Sequence, residues 1–439
     1  MFLKRDTKVF LKKGTAIWEI PVMSGFNFSQ GNTTSEVVLK EMATSTGVSR
    51  RGRRVFNDAL APAEWSFSTY LRPFVAPVTA AITSAVVLGT GYKIVSVTGT
   101  DWSAVGGSAS AAVGNYFVAA GSTSLSGLGT VVPASVADVA ANHHAVEEVL
   151  WAQFVGLGTY TPSTSTFLNF EAPNSTDLDI NFLGGNNITL GEFELFFVLG
   201  ATYDNDRNYD LSPASDDVVV YKIANCIINQ ANVNFDVDGI AMVEWSGMGT
   251  VISKEASFDA RTAINQGVTA TSNFIRNKLT ALTMLASNTT AYPGEGVAGT
   301  YTITLTGGSI SFSNNATFLT PETLGVVNRP IGHIAGNKSV TGNFTAYVEE
   351  ISGDTGTSAQ LLADALADLT TVTNSFNLTF ILGGSGNTPR FHINLPTAHL
   401  EIPKVQSDDI ISVDIAFHGL PSTITATNEA TLKYVGAAL

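Results

Sequence analysis

The stretch FELFFVLG, residues 193–200, returns as FNLTFILG at 376–383, identical at five of eight positions. Each is a short aromatic and aliphatic run closed by glycine, the pattern of a buried strand bounded by a turn. Neighbouring pieces repeat in the same order. Asp6-Thr7-Lys8-Val9 opens one pass and Arg276-Asn277-Lys278-Leu279 the other; GFNFS (25–29) is matched by SISFS (309–313), and SFSTY (66–70) by NFTAY (343–347). A helical pattern follows in each pass, and VEWSG (243–247) and IAFHG (415–419) close them. One matched pair is weak evidence, but agreement in order across six elements reads as a duplicated domain.

Other strand signals are IWEIPV (17–22), WSFSTYL (65–71), ANVNFDV (231–237), YTITL (301–305), FTAYVEE (344–350), LTFILGG (378–384) and IISVDIAF (410–417). Helices are few: one is expected over 136–154 and one over 358–372, the latter with Leu361, Leu362, Ala365, Leu366 and Leu369 on one stripe. The fold class is therefore mainly β (α+β). It comprises two tandem domains, each a packed two-sheet sandwich or barrel with a flanking helix. The first copy is interrupted: Tyr70 to Phe193 spans 123 positions, against 29 from Tyr347 to Phe376. The expected division is 1–75 and 136–252 for the first domain, 76–135 for an inserted β module with strands at 92–97 and 116–120, 253–275 for a linker, and 276–439 for the second domain.

Charged residues make up only 14% of the 439, below the ~25% usual for soluble domains, and formal net charge is −14 with a pI near 4.8. Such a chain repels nucleic acid rather than gripping it. A low-charge exterior rich in Ser, Thr, Asn and Gly suits burial against copies of itself. The one cysteine, Cys226, excludes an intrachain disulfide and reads as a small buried apolar residue. The basic start, with Lys4, Arg5, Lys8, Lys12 and Lys13 against Asp6, lacks the apolar core of a signal peptide, so synthesis in a cytoplasm is expected. The uncharged run 73–92 contains Pro73, Pro77, Gly89 and Gly91, which argues against a membrane-spanning helix.

No arrangement of residues calls for catalysis, a cofactor or a metal. His143 and His144 are helix neighbours on this reading and do not share a face; Glu147 and Glu148, four residues on, read as surface partners. DNDRNYD (204–210) starts like a calcium loop but has Tyr209 at the sixth position and Ser215 at the twelfth. Asp216-Asp217 and Asp408-Asp409 are adjacent carboxylates in loops ahead of strands. More informative is ANVNFDVDG, where Val233, Phe235 and Val237 alternate with Asn232, Asn234, Asp236 and Asp238; Leu400 and Ile402 likewise alternate with His399 and Glu401. One sheet face would be core and the other wet and acidic, either simply solvated or lining a shared cavity.

RRGRRVFNDALAPAEWSFSTYLRP (50–73) and INQANVNFDVDGIAMVEWSGMG (228–249) resemble the major tail tube protein of flexible-tailed bacteriophages, in the duplicated form of T-five-like coliphages. KLTALTM (278–284), FLTPETLGVVNRPIG (318–332) and FTAYV (344–348) resemble its second half. The resemblance implies three chains in a ring of six similar domains, and rings stacked into a hollow virion tube through which genomic DNA leaves. It also implies tape measure, tail-tip and terminator proteins as partners, and no membrane. Two departures are expected: no immunoglobulin-like decoration domain beyond the second domain, which runs to Leu439, and the 76–135 insertion, expected to project outward. Within that frame the expected lumen-lining acids are Asp236, Asp238, Glu194, Glu401 and Asp414. The expected inter-ring contacts are Arg50, Arg51, Arg53, Arg54, Arg329 and Lys338. A non-viral surface-layer or adhesin subunit shares this composition but is expected to carry an export signal.

Overall fold

The computed structural model describes residues 3, 6–23, 25–38, 53–75, 82, 85–97, 102–107, 109–113, 115–122, 129–133, 143–156, 178–181, 190–200, 207–210, 218–236, 238–265, 273–286, 300–349, 356–367, 376–384, 388–402, 404–407, 410–424, 426 and 428–435. The first pass runs β1 (Thr7–Lys13), β2 (Ala16–Ile20), β3 (Asn27–Val38), β4 (Arg53–Tyr70) and β5 (Pro73–Val75). The insertion holds β6 (Gly91–Ser96), β7 (Tyr116–Val118) and β8 (Thr130–Pro133). Then come β9 (His143–Ala145), α1 (Glu148–Val155), β10 (Leu178–Asn181), β11 (Phe193–Leu199), β12 (Asn208–Asp210), β13 (Val219–Asp236), β14 (Met242–Gly249), β15 (Val251–Glu255), β16 (Ser257–Asp259) and β17 (Ile264–Asn265). The second pass runs β18 (Ala281–Ala286), β19 (Thr300–Ile303), β20 (Leu305–Ser313), β21 (Thr317–Leu319), β22 (Gly332–Ile334), β23 (Ser339–Tyr347) and α2 (Ser358–Ala367). It closes with β24 (Phe376–Gly383), β25 (Arg390–Leu400), β26 (Lys404–Ser407), β27 (Ile411–Gly419) and β28 (Thr431–Val435).

The two passes share one wiring. In the first, a short sheet orders β2-β1-β11-β13-β15; in the second, β19-β18-β24-β25-β28 take the same places. Trp18 faces Leu11 as Tyr301 faces Met284, and Ile20 faces Val9 as Ile303 faces Leu282. One long antiparallel sheet runs β3-β4-β14-β13-β20-β23-β27, ending on β25 and its continuation β26. The first pass supplies the first four strands and the second pass the rest. They join where β13 pairs with β20, from Gln230↔Ser313 to Asp236↔Gly307.

β13 serves both sheets. Its residues up to Ala224 pair with β11 and β15, and those from Ile227 pair with β14 and β20. The corner falls at Asn225, whose φ of 49° is the left-handed conformation that asparagine tolerates better than branched residues. Two glycines allow close packing: a Cβ on Gly247 would lie 2.5 Å from the Trp65 ring, and one on Gly342 2.5 Å from the Phe417 ring.

Alternation along the strands sends Trp65, Phe67, Val233, Phe235, Val243, Trp245, Ile310, Phe312, Phe344, Ile415 and Phe417 into one core that runs unbroken through both passes. Full burial of each such side chain is worth roughly 1.5–3 kcal/mol. A smaller cluster on the other face of the first short sheet, with Phe10, Phe196 and Tyr209, lies under the β12–β16 ladder. The insertion has its own core of Tyr92, Ile94, Trp102, Phe117 and Val131. Its two ends are held together by β5 against β9, where Val75 faces His143.

Several sequence expectations change. The helix expected over 136–154 starts at Glu148, and His143–Ala145 is a strand; 136–142 lie outside the described residues. The second helix is described to Ala367, and 368–372 lie outside. The 253–275 stretch holds most of β15 and all of β16 and β17, which pair with β13, β12 and β2, so it is built into the sheets. Matching of the passes also slips. With Gly247 equivalent to Gly419, the ladders set Trp65 against Val340, two residues from the SFSTY/NFTAY match; Val9 corresponds to Leu282 rather than Leu279.

The largest change concerns Glu147 and Glu148, expected at the surface. They are 0% and 2% exposed. Glu147 accepts hydrogen bonds from the Tyr434 hydroxyl and from the Arg72 backbone N–H at 3.3 Å, while Trp151 Nε1 donates to Tyr434 Oη at 2.8 Å. Trp151 also contacts Trp245 at 4.7 Å, Phe312 at 5.8 Å and Phe391 at 6.1 Å between centroids, so α1 is a joint between the two passes. Burial raises the Glu147 carboxyl to about 8, against opposing hydrogen bonds from Tyr434 and Arg72.

Between pH 4.5 and about 8 the folded chain holds a proton here that the unfolded chain releases, so stability from this group falls as pH rises, by about 1.4 kcal/mol per unit. Glu147→Gln keeps an acceptor for Tyr434 and removes the titration. Denaturant midpoints at pH 5 and pH 8 should therefore drop less for the variant than for the parent chain; an equal drop in both would contradict the assignment.

Candidate functional site

The face of the long sheet turned away from the core is built by the same alternation that builds the core. In β4 the buried Ala63, Trp65, Phe67 and Thr69 leave Glu64, Ser66, Ser68 and Tyr70 on the other side; in β14 buried Val243 and Trp245 leave Glu244 and Ser246. Register carries this across both passes. One row reads Ser68, Glu244, Asn232, Ser311, Thr341, His418 and His399; another reads Asp236, Gly307, Thr345, Asp414 and Lys404.

The face is mostly neutral amides and hydroxyls bonded to one another. Gln230 Nε2 donates to Ser311 Oγ at 2.9 Å, Ser309 Oγ to Asn343 Oδ1 at 2.8 Å, and Asn343 Nδ2 to Asp414 Oδ1 at 3.4 Å. Its charged groups, in the body of the sheet and among the described residues, are the carboxylates Glu64, Glu244, Asp236, Asp414 and Glu401, with Lys404 the one lysine. Glu401 lies 2.9 Å from His418 Nε2.

Of the expected acidic residues, Asp236, Asp414 and Glu401 share this face. Asp238 follows β13 at its rim and pairs with Lys278 at 3.8 Å. Glu194 stands elsewhere, on the outer face of the first short sheet, where Lys12 and Lys222 each approach to 3.8 Å. That sheet collects the cations of the basic start: Lys8 pairs with Glu19 at 3.3 Å and Lys13 donates to Gln153 at 2.7 Å. Sequence reasoning missed Glu64 and Glu244, although the paired tripeptides Ala63-Glu64-Trp65 and Val243-Glu244-Trp245 place each glutamate one step from a core tryptophan.

Of the basic cluster, Arg53 and Arg54 lie at the far end of the β3–β4 ladder. Arg50 and Arg51 fall outside the described residues. Arg53 and Arg54 are in strand β4, not a loop; Arg53 pairs with Glu36 at 2.6 Å and Arg54 sits over the Phe56 ring at 5.1 Å. This arm is exposed along its outer half and leaves Val37, Val55 and Phe56 in solvent. The exposed 320–329 loop joins its base, where Leu60 N bonds Asn328 O at 2.9 Å, and Arg329 is exposed there. Lys338 points inward and donates to Val155 O at 3.4 Å, at the negative end of α1.

Cys226 is buried, as expected. Among the described residues no group of three or more His, Cys, Asp and Glu could hold a metal ion, and no helix is long and apolar enough to cross a membrane. The calcium-like loop gives Asn208–Asp210 to β12, buries Tyr209 and pairs Arg207 with Glu19; residues 204–206, Asp216, Asp217, Asp408 and Asp409 lie outside the described residues.

No protein-family model matches the sequence. Among curated proteins, the chain is 25% identical over 450 residues to "Tail tube protein pb6" of Escherichia phage T5, an alignment spanning 98% of this chain and 75% of that relative. The similarity to a T5-like tail tube protein runs along nearly the whole chain, on a mainly β fold whose wiring occurs twice.

Proposed function

We propose that three copies close into a ring, that rings stack into the phage tail tube, and that the carboxylate-bearing face of the long sheet lines a channel for genomic DNA. The observation that carries this reading is the internal seam. There the last strand of the first pass, β13, pairs with the first strand of the second, β20, and buries Ala231, Val233, Ile310 and Phe312 completely. The long sheet ends on the equivalents of those strands, β25–β26 and β3. Their corresponding residues are less completely covered: Leu400 is buried, but Ile402, expected to be in the core, is 59% exposed, and Phe26 and Phe28 are only partly buried. An unpaired, apolar-flanked strand edge is a template for another chain. Copying the internal register sets Phe28 against Leu400 and Phe26 against Ile402 of the next chain. Eight strands per chain then continue round a closed barrel.

A channel wall of neutral polar groups and carboxylates, with Lys404 the one lysine among its described residues, offers DNA phosphates little counter-charge, so the DNA slides. Lys8, Lys12 and Lys222 sit on the opposite sheet, paired with Glu19, Glu194 and Glu255. The arm carrying Arg53 and Arg54, with Arg329 beside its base, would reach the next ring, and Arg50 and Arg51 are proposed for the same contact. Tape measure, tail-tip and terminator proteins would meet the tube at its bore and ends. The insertion docks where a Cβ on Gly91 would fall 2.3 Å from Arg261 O, beside the β12–β16 cover of the first short sheet, which supports a position outside the tube.

Two measurements test this. A chain carrying Phe26→Cys and Ile402→Cys, oxidised after assembly, should give covalent species that stop at three chains, since directly opposed strand residues bring Cβ atoms to about 4.5–5.5 Å; monomers alone, or a ladder running past three, would contradict ring closure. Replacing Glu64, Glu244, Asp236, Asp414 and Glu401 with Lys should convert tubes that ignore DNA into tubes that bind it with steep salt dependence. Unchanged DNA binding would contradict the lining.

A further inference from the structure

The polar side of the seam between chains differs from the polar side of the internal seam. Internally, Gln230 faces Ser313, which faces Ser339, and Gln230 Nε2 reaches diagonally to Ser311 Oγ at 2.9 Å. All four groups are neutral. At the free edges the equivalents are His399 for Gln230, Asn27 and Ser29 for Ser311 and Ser313, and Glu64 for Ser339. Beside β3 the face opens into a cleft of about 300 Å³ lined by Asn27, Ser29, Glu64, Ser66 and Ser246. The internal equivalent carries the Gln230 side chain bonded across the strand.

We propose that this cleft is the socket for His399 of the adjoining copy, whose imidazolium pairs with Glu64 and thereby makes closure between chains sensitive to pH. The inference rests on the ring reading above. His399 faces His418 on β27, with ring centroids 6.5 Å apart, and Glu401 on its own strand contacts His418 at 2.9 Å. Asp414 on β27 and Lys404 on β26 lie further along; across the seam stand Glu64 on β4 and Glu244 on β14. Carboxylates outnumber the single lysine around the seam, so an imidazolium at His399 adds attraction across it. The pairing is present at acidic pH and lost as the imidazole deprotonates, whereas the Gln230 seam inside each chain does not change.

Dissociation of assembled rings on dilution, followed by sedimentation at pH 5.5 and pH 8, tests this with the full-length chain. The apparent dissociation constant should rise about tenfold between the two, or about 1.4 kcal/mol. Glu64→Gln and His399→Gln should each remove most of that rise, and the double variant no more than either. His399→Gln restores the residue type of the internal seam, so its rings should still form. Rings in which both variants keep the parental pH response would overturn the pairing and leave ring closure standing. Absence of rings at either pH, together with failure of the cross-link between the Phe26→Cys and Ile402→Cys positions, would overturn ring closure itself.

Discussion

The ladder between β13 and β20 is the constraint on which the structure depends. A strand in a sheet has donors and acceptors on both sides, and an edge left open exposes a row of them. Within the chain the rule is met by pairing one pass with the other, so two similar units form one sheet and not two separate ones. The continuous core follows, since the inward residues of β13 and β20 are neighbours and leave no gap between passes. The two outer edges follow too, because a linear pairing of two units always leaves one unmatched strand at each end.

A second consequence concerns rigidity. If the sheet is to curve consistently, the passes must hold a fixed angle, and α1 supplies that. Trp151 packs on Trp245 from the first pass and on Phe312 and Phe391 from the second, while Glu147 binds Tyr434 of the last strand. A carboxyl in so apolar a place is tolerated near neutral pH because it keeps its proton. Charge is sorted between the sheets as well. Lys8, Lys12 and Lys13 of the basic start are engaged by Glu19, Glu194 and Gln153 of the short sheet and helix, leaving the long sheet's open face with carboxylates, hydroxyls and, among the described residues, the one lysine Lys404.

Much of this is legible in the sequence. FELFFVLG and FNLTFILG announce the duplication, and the alternation in WSFSTY and ANVNFD shows which residues face the core. Alternation has a period of two, so it fixes faces but not register. That is why the sequence match sets SFSTY on NFTAY two residues out of step, with every side chain still on its correct face. Burial of Glu147 leaves no local signal, since its partners Arg72 and Tyr434 come from other elements, Tyr434 at the far end of the chain, whereas Glu148 accepts from the Ala145 N–H three residues back. The 253–275 stretch reads as a linker because its strands are short and pair with distant β13, β12 and β2. Lys338 looks like a surface cation until the end of α1 is located beside it. Ile402 is the instructive case: the pattern assigns it to a core, and among the described residues of one chain it is left 59% exposed.

A reconstruction of the assembled protein that resolves individual strands tests the central claim most directly. It should show β3 of each chain antiparallel to β25 of the next, with Ile402 covered and the row from Ser68 to His399 facing an open bore. Rings whose β3 edge stays in solvent, or a bore walled by the short sheet with Lys12 and Lys222, would contradict the account.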